Sequence, residues 1–372
     1  MHYFEYAEKD STLYSRSGSQ NTGIDEILEV VKDTSSAGVV QGVSRILIKF
    51  DTTYISSSIS SGLIPSSSYT KFYLNLYDAN SRGLNVNQNL YAYPISQSWD
   101  MGFGKEDNFP IIGDGCSWNY RDNDITRTQW SSLMTGSGGT WYNQYEASQS
   151  FNNEPSDVRM DVTSIVWNWV HGDVPNEGFM VKRSGSIGNT DSNLDEGSST
   201  PMGTFSFFSR ETHTIYQPKL EAVWDDSVWT TGSLEALSNT EIEDLRLYPR
   251  SQRDHYKEGS KVKFRVVGRP LYPEKTFSAT AGYSTGYNTA KYLPSGSTFY
   301  QLVDVFTEDV VIPYGSGSLV SCDSTGNYFN LDMKSLLADR FYRVEYKIIS
   351  GSGTADETVQ YFTYLPSFKV VK

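Results

Sequence analysis

The chain has 372 residues, enough for two or three domains of about 150 residues each, so it can bury a substantial core. Its 31 Lys and Arg residues stand against 44 Asp and Glu residues, and the net charge of −13 argues against nucleic acid or an anionic membrane as the main partner. With four His and two Cys residues, a disulfide framework and a cysteine-rich zinc site are excluded. Aromatic residues make up 14% of the chain and charged residues 20%, a composition that favours sheets over helices.

The start of the chain lacks a basic stretch followed by an apolar one, and no segment has 18 consecutive apolar residues. This pattern predicts a soluble, unsecreted chain made in a cytoplasm. Cys116 and Cys322 are far apart in the sequence. A single bridge between domains therefore stays open, without further support.

Apolar residues alternate with polar ones in many short runs. Val262, Phe264 and Val266 alternate with basic residues, and the same period of two recurs around 46–50, 72–76 and 342–348. This alternation predicts half-buried strands. Glycine and serine clusters separate the runs, which is typical of β-sandwiches.

One segment has a helical period. Val162, Ile165, Val166 and Trp169 share one helical face, Asp161 is a candidate N-cap, and Gly172 follows the last turn. The spacing predicts a short helix on the sheet sandwich.

The stretch 24–31 fits both a helix and a strand. We predict a strand there, because the stretch ends in two β-branched residues. A polar run near 225–238 then separates two groups of strands. We predict an all-β fold with a jelly-roll-like β-sandwich over 1–228, a linker over 229–238 and an immunoglobulin-like β-sandwich over 239–372.

The first domain contains a series of short motifs in a particular order. They are an Asn21-Thr22-Gly23 turn, a strand from Arg45 to Phe50-Asp51, the Asp161-Val162-Thr163 segment, and Ser209-Arg210-Glu211. In this order they resemble the DNRLRE family of β-sandwich modules, over about residues 7–226. The resemblance implies a jelly-roll-like module, related to carbohydrate-binding and adhesive domains, without a catalytic apparatus. Related domains occur in virion proteins of tailed bacteriophages.

The second domain contains the segments 300–304, 310–314 and 327–333, which resemble structural proteins of large contractile-tailed phages. This resemblance implies a virion component that is made in the host cytoplasm, assembles in multiple copies and contacts other virion proteins. Neck or collar, tail, baseplate and capsid decoration all stay open as its place in the particle.

Motifs for catalysis and metal binding are weak. Gly282-Tyr283-Ser284-Thr285-Gly286 matches a nucleophile elbow, but no helical pattern follows it, so we interpret it as a loop. The run 191–197 comes nearest to a calcium loop, with its glycine one residue late and Met202 where the closing Glu should be, so we interpret it as a polar loop. We therefore predict no catalytic residue, no metal and no cofactor.

Two groups of residues are the candidate sites. Aromatic residues in a stretch rich in Gly, Ser and Asn could stack on sugar rings, anchor a protein interface, or cap the core: Trp118, Tyr120, Trp130, Trp141, Tyr142 and Tyr145. Basic residues concentrated in an acidic chain form either a solvated strand face or a docking surface for an acidic neighbour, even another copy of the chain: Arg246, Arg250, Arg253, Lys261, Lys263 and Arg265.

The sequence thus predicts a non-enzymatic virion structural protein that docks onto other proteins. A carbohydrate-binding or adhesive module that attaches particles to host glycan is the alternative. A glycan-degrading enzyme is a weaker third interpretation, because no acid pair or well-placed nucleophile stands out; adjacent acids on a strand point to opposite faces, so their adjacency is not evidence of a pair.

Overall fold

The computed structural model describes residues 1–35, 38–84, 87–131, 137–152, 157–185, 195–238, 242–272, 291–353 and 357–372. The chain divides into an N-terminal unit, Phe4–Ala222, and a C-terminal unit, Val223–Lys372 together with Met1–Tyr3. The prediction of two domains placed their boundary after residue 228, whereas this division lies at residue 222.

The stretch 229–238, predicted as a linker, lies within the C-terminal unit. The Thr230 N–H donates to the Cys322 carbonyl at 2.8 Å, and Trp229 forms a β-bridge with Cys322. These hydrogen bonds pair the start of the stretch with a strand of the unit.

Strands β1 to β12 are, in chain order, His2–Tyr14, Ile27–Thr34, Val40–Phe50, Lys71–Leu76, Asn87–Pro94, Tyr120–Asp122, Thr128–Gln129, Ala147–Asn152, Val158–Asp161, Phe179–Lys182, Gly203–Phe208 and Lys219–Val223. Ten of them form one sheet, with the path β8-β5-β10-β3-β1-β12-β4-β9 and with β2 and β11 attached through β3. The short strands β6 and β7 pair with each other.

The two ends of this path meet. The side chain of Gln149 in β8 donates to the Asp157 carbonyl at 3.0 Å and accepts from the Arg159 N–H at 2.8 Å in β9. The sheet therefore nearly closes on itself, which leaves little unpaired edge at β8 and β9.

The predicted short helix is confirmed as α2, Thr163–His171. Its buried face is made by Ile165, Val166 and Trp169, and the Trp169 ring lies 4.6 Å from that of Phe179. Val162 occupies the N-cap position, one residue after the predicted one. Asp161 still contributes, because its carboxylate accepts from the Thr163 N–H at 2.9 Å.

The ambiguous stretch forms strand β2, as predicted. A second helix, α1 at Thr53–Ser60, was not predicted. Half of its eight residues are serine, which has no strong helical preference, and Ile55 alone among its apolar residues is fully buried. The apolar pattern is therefore too sparse to indicate a helix.

Strands β13 to β22 of the C-terminal unit are Leu245–Arg250, His255–Lys257, Lys261–Pro270, Thr298–Asp304, Val310–Ile312, Ser321–Asp323, Gly326–Asp332, Phe341–Ser350, Thr358–Phe362 and Ser367–Val371. They form a four-stranded sheet, β13-β15-β19-β18, and a six-stranded sheet, β14-β22-β20-β16-β17 with β21 on β20.

The two sheets of the C-terminal unit meet through aromatic rings. Phe329 in β19 stacks on Tyr300 in β16 with centroids 4.0 Å apart, and Phe264 in β15 lies 5.1 Å from Phe368 in β22. The alternation predicted around Phe264 thus places apolar residues between the sheets. The all-β prediction is confirmed for the chain. Among the described residues, no helix is long and apolar enough to cross a membrane.

Candidate docking surfaces

The aromatic candidates lie around one part of the N-terminal core. Trp118 and Trp130 are buried there together with Leu13, Leu47 and Met180. Trp141 packs half-buried against this cluster, and Tyr120, Tyr142 and Tyr145 are also half-buried. Two of the six rings are thus core residues, and none lies open as a flat platform on which a sugar could stack.

The cluster contains a buried ion pair that sequence reasoning missed. Arg45 donates to both carboxylate oxygens of Glu196, at 3.1 and 2.6 Å, and its guanidinium carbon lies 4.7 Å and 5.1 Å from the ring centroids of Trp118 and Trp141. Lys182 lies 3.4 Å from the same carboxylate. Burial lowers the pKa of Lys182 to about 8.

Two further buried cations hold the chain that follows Glu196. Lys32 donates to the Ser198 carbonyl at 2.8 Å, and Arg183 donates to the Met202 carbonyl at 2.9 Å. Glu196 belongs to the run 191–197, which the sequence predicts to be a polar loop and whose first four residues lie outside the described residues. Its carboxylate is occupied by two cations, and the described residues contain no cluster of acids, His and Cys that could hold a metal. The elbow-like motif 282–286 lies outside the described residues.

The two cysteines, Cys116 and Cys322, are free and buried. Burial raises the pKa of the Cys116 thiol to about 12 and that of Cys322 to about 11. Both are therefore thiols rather than thiolates at neutral pH, which disfavours a nucleophilic role.

The basic candidates lie mostly on one face of the four-stranded sheet. Arg246 is paired with Arg269 and Arg250 with Arg265 across β13 and β15, so each pair points to the same side. Alternation along β15 adds Lys261 and Lys263 to this side. The basic face, defined by these six residues, is the outer face, since Leu247, Phe264 and Val266 point into the core. Arg253 is exposed in the turn between β13 and β14.

One half of the basic face is neutralised within its own sheet. Arg265 donates to both carboxylate oxygens of Asp323 at 2.9 and 2.7 Å, and this contact holds the pKa of Asp323 well below its usual range. The ammonium of Lys263 lies 3.6 Å from Asp323, and that of Lys261 lies 3.9 Å from Asp332. Three of the predicted docking residues are thus satisfied at least in part by local acids.

The other half of the basic face is not neutralised. Arg246, Arg250 and Arg269 are exposed and have no ion pair among the residues that the structure describes. Arg246 lies over the Tyr364 ring at 5.3 Å, and Tyr248, between the two arginines of β13, is 41% exposed. This half presents unpaired guanidinium groups beside exposed aromatic rings.

The edge beside these arginines is closed to strand pairing. β13 is the terminal strand of its sheet, and the Tyr364 hydroxyl accepts from the Leu247 N–H at 3.0 Å. Pro249, the next outward-directed position, has no N–H. A partner therefore meets side chains here rather than a free backbone edge.

The N-terminal unit has a feature of opposite charge. A cleft of about 690 Å³ is lined by five acidic and two basic residues, namely Asp25, Glu26, Glu29, Glu106, Asp107, Arg82 and Lys105. Burial raises the pKa of Asp25 to about 6, although its carboxylate accepts a hydrogen bond from the Glu106 N–H at 2.9 Å. The Tyr14 hydroxyl closes one side by donating to Glu29 at 2.8 Å. We call this the acidic cleft.

The loop that supplies Glu106 and Asp107 to the acidic cleft also carries exposed apolar side chains. Phe103 is 71% exposed and Phe109 is 98% exposed. Exposed apolar side chains that are grouped on one surface mark sites of protein interaction, whereas single ones are ordinary. This loop thus has the aromatic and charged composition of a protein interface.

No family model matches the chain, and no curated protein matches it. Among solved structures, trypsin-activated alpha-2-macroglobulin from Escherichia coli is similar at a TM-score of 0.19 and 9% identity. The similarity covers 78% of this chain and 21% of that one, so the chain spans about a fifth of its length. The resemblance to the DNRLRE family stays a prediction.

Proposed function

We propose that the protein is a non-enzymatic structural component that docks through the basic face onto an acidic protein surface. The observation that carries this proposal is a row of exposed guanidinium groups on paired strands, those of Arg246, Arg250 and Arg269, which have no ion pair among the described residues and lie next to Tyr248 and Tyr364. The resemblance to tailed-phage structural proteins indicates that the docking takes place in a virion.

The arrangement of these arginines and tyrosines fits a docking surface better than an ordinary solvated strand face. Arginine and tyrosine contribute strongly to protein interfaces, because both combine a large contact area with directional hydrogen bonds. The backbone that carries these residues is fixed in a sheet, so little backbone entropy is lost on binding. A basic surface on a chain of net charge −13 also selects acidic partners and orients them.

The test is incorporation into particles. We expect a tagged full-length Arg246→Glu/Arg250→Glu variant, supplied during particle assembly, to be present at about a tenth of the wild-type copies or fewer, as removing two interface arginines predicts. Quantitative mass spectrometry of purified particles measures the copies. Lys257→Glu/Lys372→Glu is the matched control, since it makes the same charge change at exposed positions outside the basic face.

Equal incorporation of the two variants would exclude docking by the basic face. Absence of the wild-type chain from particles would exclude a virion role. Binding of the wild type to a glycan array, unchanged in the face variant, would favour the adhesive alternative.

A further inference from the structure

The acidity of the chain is divided unequally between its units. Residues 1–222 hold 26 acidic and 15 basic residues, a net of −11, whereas residues 223–372 hold 18 and 16, a net of −2. The basic face therefore lies on a nearly neutral unit, and the acidic surface that would complement it is present on every copy of the same chain.

We infer that the docking partner of the basic face is the N-terminal unit of a second copy, at its acidic cleft. The inference rests on the proposed function and names its partner. Two independent features of that unit support the choice. The acidic cleft is lined by five carboxylates and two cations; Glu106 also pairs with Arg16, and Glu26 lies 3.9 Å from Lys105. Phe103 and Phe109, on the loop that supplies Glu106 and Asp107, are exposed apolar side chains.

The basic face and the acidic cleft are complementary in charge, and both have aromatic side chains nearby. Exposed guanidinium groups of Arg246 and Arg250 would meet carboxylates such as Glu26 and Asp107, which are both exposed. The tyrosines at the basic face would meet the phenylalanines of the loop that supplies Glu106 and Asp107. Charge pairing of this type gives orientation, and the aromatic contacts give buried area.

The surfaces that meet are different, so the association is head to tail. An open series of copies keeps one free basic face at one end and one free acidic cleft at the other, and it stops growing only when it closes into a ring or meets another protein. A chain that associates in this way suits a repeated assembly.

The experiment uses full-length protein in sedimentation velocity, over a range of concentrations at about 50 mM and about 500 mM salt, because screening separates charge pairing from apolar association. We expect the wild type to form species that grow with concentration at low salt and shrink at high salt. The face variant Arg246→Glu/Arg250→Glu and a cleft variant Glu26→Lys/Asp107→Lys should each remain monomeric.

Mixing the two variants makes the decisive measurement. The face variant retains a cleft and the cleft variant retains a face, so together they should form a complex that neither variant forms alone. Asp124→Lys/Asp173→Lys, which reverses two exposed acids outside the acidic cleft, should associate like the wild type.

A wild type that stays monomeric throughout at low salt would overturn the inference, as would a mixture without a complex. The proposed function is tested separately. If the face variant also fails to enter particles while the wild type is monomeric, docking by the basic face stands and its partner is another protein.

Discussion

Arg45 and Glu196 are 151 positions apart in the chain and form a two-bond ion pair whose side chains are 1% and 0% exposed. Trp118 and Trp141 border the guanidinium, and Lys182 contacts the same carboxylate. Two cations and one acid are thus enclosed together. A charge in this position is stable only while its partner is present, since water cannot replace the partner.

Removing the carboxylate should therefore be costly. We expect Glu196→Ala to lower the free energy of unfolding by about 3–5 kcal/mol, the cost of leaving a buried charge without its partner. Urea unfolding of the variant and the wild type measures this loss. Glu177→Ala, which removes the half-exposed partner of Lys49, is the control and should cost less than about 1 kcal/mol. Similar values for the two variants would show that the buried pair is not required.

The buried carboxyl group of Asp10 should make the free energy of unfolding depend on pH. Its side chain is 1% exposed, Oδ2 accepts from the Arg210 N–H at 2.7 Å, and Oδ1 has no partner among the described residues. Burial raises the pKa of Asp10 from 3.8 to about 7. The folded chain therefore retains a proton, between about pH 4 and pH 7, that the unfolded chain has lost, so the free energy of unfolding falls as pH rises through this window.

Asp10→Asn should remove this contribution. We expect the variant to be more stable than the wild type at pH 8, by up to about 4 kcal/mol, with the difference vanishing below about pH 4. Chemical unfolding across this pH range measures the difference. A constant difference at every pH would mean that Asp10 does not titrate as described.

The sequence predicted the features that depend on neighbours along the chain. The period of two located β15 and put Phe264 in the core, and the helical spacing located α2 to within about two residues. Contacts between residues that are distant in the sequence could not be predicted. Nothing in the sequence pairs Arg45 with Glu196, or shows that Arg246 faces Arg269 while Arg265 is neutralised by Asp323. Register and long-range pairing decide these contacts, and local pattern does not encode them.

The placement of the aromatic candidates predicts two different outcomes of substitution. Trp130 is 3% exposed and its indole N–H donates to the Ser117 carbonyl at 2.9 Å, whereas Tyr145 is half-buried. We expect Trp130→Ala to cost about 3–5 kcal/mol of unfolding free energy, as for other large core residues, and Tyr145→Ala to cost distinctly less. Thermal and urea unfolding of both variants tests this. Equal small effects would contradict a core role for Trp130.

Gly172 and Gly178 lie on either side of the loop between α2 and β10, and both have a positive φ, 80° and 97°. A Cβ at Gly172 would meet nothing within 4 Å, whereas one at Gly178 would lie 2.3 Å from the Ile48 carbonyl oxygen. Gly172→Ala should therefore cost only the strain of the left-handed conformation, about 1 kcal/mol. Gly178→Ala should cost clearly more, because β3 or β10 must also shift. Urea unfolding of the two variants side by side measures the difference, and equal costs would show that the sheet yields freely at this position.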